Sequence, residues 1–126
     1  MLFTVISIEK ENDNTFVTGS TAVGYIKGLW KGDEQPVVGS RHHIELNFPT
    51  VDKSAVSVTT ADIGTKIIGD KTSFVGLCED IDKIFYIRFS VHGLEMLDII
   101  DGEEKIKQND HVSFSLPFSD IGIHTY

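Results

Sequence analysis

Strict alternation governs the clearest stretch of the sequence: in Arg41-His42-His43-Ile44-Glu45-Leu46-Asn47-Phe48, one parity holds His42, Ile44, Leu46 and Phe48, and the other Arg41, His43, Glu45 and Asn47. Side chains of an extended chain point to opposite faces in turn, so this run is a strand with one face buried and one face wet. Pro49 has no N–H to give to a ladder and closes it. The same period returns twice. Phe85, Ile87, Phe89 and Val91 oppose Tyr86, Arg88 and Ser90, and further on Val112, Phe114, Leu116 and Phe118 share a parity, with Pro117 marking an edge or a terminus.

Weaker signals fill the intervals. Met1 to Glu9 reads as a first strand; it lacks the basic leader and small-residue cleavage site of a secretory signal. Ala22 to Trp30 is apolar but interrupted by Gly24 and Gly28, which suit a bent strand better than a helix. Gly32 to Pro36 is a polar loop, and Ala55 to Thr59 alternates weakly enough for an edge strand. Thr72 to Glu79 and the Phe85 strand form a hairpin across Asp80-Ile81-Asp82-Lys83. Between Gly93 and Gly102, Leu94, Leu97 and Ile100 recur every third residue, as a short helix over 93–101 would have them. The Ile99-Ile100 pair and the β-rich surroundings favour a strand there instead.

Together these predict a mainly β fold, one small antiparallel barrel or sandwich of about seven or eight strands spanning 1–126. The length suits one core, and no internal repeat or low-complexity linker is visible. No stretch approaches the run of about 20 apolar residues that crosses a membrane as a helix, so a soluble chain is expected. Cys78, the only cysteine, lies in the apolar run Phe74 to Cys78, which predicts a buried thiol and fits a cytoplasmic location.

A search for chemistry returns no site. His42 and His43 are adjacent, so a strand sends their rings to opposite faces, and His92, His111 and His124 are isolated; no metal-ligand spacing exists. No serine sits in a nucleophile elbow, and Gly19 to Gly24 has neither the lysine of a phosphate loop nor the glycines of a dinucleotide fold. No catalytic residue and no cofactor is assigned. A small hydrolase assembled from distant residues stays a third reading.

Charge is the remaining signal. Nineteen acidic residues against eleven Lys and Arg give a formal net charge of −8. That field repels phosphate backbones and draws basic partners. Glu95, Asp98, Asp101, Glu103 and Glu104 lie within ten residues with no base among them, and Glu79, Asp80 and Asp82 crowd the preceding hairpin tip. Gathered on one side, these acids would steer a cationic protein, with Trp30 or Tyr86 as aromatic anchors.

In size, acidity and the segments Glu79-Asp80-Ile81-Asp82 and Glu95 to Glu104, the chain resembles the bacterial toxin-neutralising immunity proteins, including those of contact-dependent growth inhibition systems. The resemblance is at the level of a class without a shared motif. It implies an inhibitor that binds one basic toxin, commonly a nuclease, and blocks its active site. The alternative is a small OB-like barrel that binds single-stranded nucleic acid or a small ligand, with Tyr25, Trp30 and Tyr86 as a stacking platform.

Overall fold

The computed structural model describes residues 1–52, 55–81, 84–89, 94–100 and 106–126, with the backbone alone for 52, 80, 81, 84–86, 94 and 96–100. The chain is mainly β, with 62% of it in strands. Among the described residues the strands are β1 (Leu2–Glu11), β2 (Asn14–Thr21), β3 (Gly24–Trp30), β4 (Arg41–Asn47), β5 (Val51–Asp52), β6 (Ser57–Val58), β7 (Gly64–Ile68), β8 (Lys71–Ile81), β9 (Ile84–Arg88), β10 (Leu94–Ile100), β11 (His111–Pro117) and β12 (Gly122–Thr125).

The expected strand count of seven or eight is therefore too low. The missed elements are those with few apolar residues or only a few residues in all: β2, β5, β7 and β12. The ambiguous segment at 93–101 is strand, not helix, over Leu94–Ile100. Its antiparallel pairing with β9, Leu94 opposite Arg88 through Asp98 opposite Ile84, meets backbone hydrogen-bonding needs that a helix would have met internally.

Five strands close on themselves. β1, β2 and β3 form an antiparallel meander, β12 lies parallel to β3, β4 lies antiparallel to β12, and β4 returns to β1. The closure is made by Leu29 and Lys31, whose N–H groups donate to the carbonyls of Ile121 and Ile123, both at 2.8 Å. Gly28 is required at this seam, because a side chain there would strike the Ile121 carbonyl. Inside lie Phe3, Val5, Val17, Ile26, Ile44, Ile121 and Ile123, all at most 1% exposed. In β4 the alternation holds, with Ile44 and Leu46 buried and Arg41, His43, Glu45 and Asn47 exposed.

β7 bridges β3 and β8, and the other strands repeat this order, although no repeat is legible in the sequence. β8, β9 and β10 form a second meander, β11 pairs with β8 as β4 pairs with β1, and β5 lies parallel to β10 as β12 lies parallel to β3. The loop details coincide. Gly39 donates to Val5 and Val5 to Ser40 in the first set; Asn109 donates to Cys78 and Cys78 to Asp110 in the second. Gly39 and Asn109 both have positive φ, 88° and 74°, and both first strands carry a register shift, after Val5 and after Cys78. The last strands are exchanged. β5 and β6 follow the first set in the chain but pair with β10 and β11, and β12 follows the second set but completes the first barrel.

Phe48, Phe74, Phe89 and Phe114 join the two sets in one aromatic core, with Phe74 stacked on Phe114 at 5.0 Å and Phe48 edge-on to both. Cys78 is buried as expected. Among the described residues no helix is long and apolar enough to cross a membrane.

Candidate functional site

The expected acidic patch loses both members whose side chains are described. Glu79 on β8 is gripped by Arg88, whose Nη2 and Nε lie 2.7 and 2.8 Å from its Oε2. Glu95 is only 7% exposed, a correction to its reading as a surface contact. Its place in a short acid-rich segment pointed to the surface; strand alternation instead turns Glu95 inward, toward Leu46 and Glu45 of β4. Burial is the main cause that lifts its pKa from 4.5 to about 7, helped by the Glu45 charge and opposed by a backbone hydrogen bond from Leu46 and the amino terminus.

The other expected contacts are placed in part. Asp80 and Tyr86 face each other across the β8–β9 ladder, and Asp98 lies on β10 opposite Ile84; their side chains are outside the described residues. Asp82, Asp101, Glu103 and Glu104 lie outside the described residues altogether. Trp30, at the end of β3, is half-buried. Its indole N–H donates to the Glu34 carbonyl at 2.8 Å and its ring meets His42 edge-on at 5.1 Å. The side chain is spent on closing its own loop.

The structure offers a different acidic site. A groove of about 350 Å³ opens at one end of the first barrel, lined by Glu11, Asn12, Asn14, Phe16, Asp70, Pro117, Phe118 and Ser119. Three chain reversals build it. The β1–β2 hairpin turns sharply at Asn12, φ 56°, and brings Glu11 opposite Asn14. The β7–β8 turn contributes Asp70, and the 3-10 turn Phe118–Asp120 contributes the far wall as the chain leaves β11 for β12. Phe16 and Phe118 are half-buried; Glu11 and Asp70 are exposed and make no ion pair among the described residues. Beside the groove, Lys27 on β3 places its ammonium 4.7 Å from the centroid of Phe118 and 3.0 Å from Oε2 of Glu9.

Sequence reasoning passed over these residues because they are far apart in the chain and none stands in a charge run. The signal that was available is the Asn12-Asp13 step between Glu11 and Asn14, a two-residue hairpin connection.

Ser40 and His42 are the one described serine–imidazole contact, Oγ to Nε2 at 2.8 Å. The Ser40 hydroxyl proton is already given to the Val37 carbonyl at 2.5 Å. His42 must then donate from Nε2, so it fixes the loop and does not act as a base toward Ser40.

No protein family, curated protein or solved structure matches the chain.

Proposed function

We propose that the chain is a binding protein that captures a basic protein partner at the acidic end of its first barrel, working as toxin-neutralising immunity proteins do. The groove of Glu11, Asp70, Phe16 and Phe118 carries this reading: it sets two carboxylates that make no ion pair among the described residues beside two aromatic walls. The net charge of −8 supplies long-range attraction, and the concavity supplies the place where that attraction ends in contact.

The barrel supports the choice of this end. A five-stranded barrel with a three-strand meander and a fifth strand parallel to the third is OB-like, and barrels of that kind take ligands over strands two and three and the loops beside them. Asn12 lies in the first of these loops, Phe16 on the second strand, and Pro117 to Ser119 lead into the fifth. This placement also favours the second reading, a single-stranded nucleic acid on the same edge. The charge opposes it, since Glu11 and Asp70 stand where phosphate contacts would need Lys or Arg.

The test is association of the full chain with a candidate basic toxin domain, sought first among the products of neighbouring genes, followed by stopped flow across a salt series. A rate that falls steeply with salt is expected. A salt-independent rate, together with a gel shift on single-stranded oligonucleotides, would replace this reading by the second.

A further inference from the structure

We propose that the groove at the end of the first barrel is an arginine subsite, taking one guanidinium from the partner against the ring of Phe118 and between the carboxylates of Glu11 and Asp70. This rests on the basic-partner reading and names the group that is recognised. The molecule already holds one of its own cations at this wall. Lys27 covers one face of the Phe118 ring at 4.7 Å while Glu9 balances its charge at 3.0 Å, so the ring accepts a cation, the lysine adds little net charge beside the groove, and the other face is the one for the guanidinium. Glu9 is therefore committed, whereas Glu11 and Asp70 lack a cation among the described residues and face the groove.

The lining favours one kind of cation. A volume of about 350 Å³ walled by Phe16, Pro117 and Phe118 admits a side chain with a flat head. A guanidinium is planar, sheds water more easily than an ammonium, stacks on a ring and offers paired N–H groups to a carboxylate. The carboxamide oxygens of Asn12 and Asn14 supply further acceptors for its remaining donors.

The experiment titrates the full chain with penta-arginine amide and separately with penta-lysine amide at low salt, read by amide nitrogen–proton spectra. Expected are shifts concentrated at Glu11, Asn12, Phe16, Asp70 and Ser119, with penta-arginine the tighter ligand. A Glu11→Gln, Asp70→Asn double variant should bind about tenfold more weakly, and Phe118→Leu should lower the preference for arginine over lysine. Shifts centred elsewhere would overturn the subsite and the placing of the partner at this end of the barrel, while leaving a basic partner as the ligand class. Equal affinity for the two peptides would overturn the guanidinium assignment, and no shift with either at low millimolar peptide would overturn both proposals.

Discussion

Arg88 holds Glu79 through two nitrogens on a single carboxylate oxygen, at 2.7 and 2.8 Å, across the β8–β9 ladder. A carboxylate so engaged has little attraction left for a partner. Because both side chains keep a third or more of their surface in water, the pair contributes only about 0.5 kcal/mol to stability. Glu79→Gln should therefore shift the urea midpoint slightly and leave penta-arginine binding unchanged, whereas Glu11→Gln weakens it. Equal losses from the two variants would place the acidic contact on β8.

Glu95 makes stability depend on pH in a direction opposite to most acids. Its folded pKa, about 7, lies above its value of 4.5 in an unfolded chain. Below pH 4.5 both states are protonated and nothing is lost. Between 4.5 and about 7 the unfolded chain ionises first, so stability falls as pH rises, and above about 7 the full penalty is present. The difference corresponds to roughly 3 kcal/mol. Urea unfolding of Glu95→Gln should show a smaller decline across this window and a higher midpoint than the parent above it. A parallel pH profile in parent and variant would place the titration elsewhere.

The history of Glu95 shows where sequence reading succeeds and where it stops. Alternation in β4 is legible because one face of that strand meets core and the other water, and Ile44 and Leu46 are buried as their parity requires. At β10, three-residue and two-residue spacings both fit the apolar residues, and only pairing with β9 decides between them. The duplicated backbone is hidden for a related reason. Positions that correspond in hydrogen bonding, such as Gly39 and Asn109, share a left-handed backbone and not a side chain, and Val5 and Cys78 share only small apolar bulk. Of the groove, the hairpin step at Asn12-Asp13 is local and readable. The approach of Asp70 follows from the pairing of β7 with β3 and that of Phe118 from the pairing of β12 with β3 and β4, long-range contacts that no local pattern encodes.

Thr65 on β7 carries a buried hydroxyl with no hydrogen-bond partner among the described residues. Gly24 packs directly against this residue, since any Cβ there would strike the Thr65 carbonyl. Valine keeps the branched shape and removes the unsatisfied group, so Thr65→Val should stabilise the chain by about 1 kcal/mol. Thermal unfolding reads this directly, and a loss of stability would mean that the hydroxyl has a partner.

Ile123 tests the exchange of last strands. It is fully buried in the first barrel, in register with Trp30, yet it follows the second set of strands in the chain. Were the sets independent, Ile123→Ala would loosen only the barrel that encloses it, and Trp30 fluorescence would report unfolding before far-UV circular dichroism did. With β12 donated across from the second set, and β5 and β6 donated in return, neither set can open without withdrawing a strand from the other. The substitution should cost about 2–5 kcal/mol and keep one transition, the two probes coinciding across the urea range. Separate transitions would show that the exchanged strands do not couple the sets.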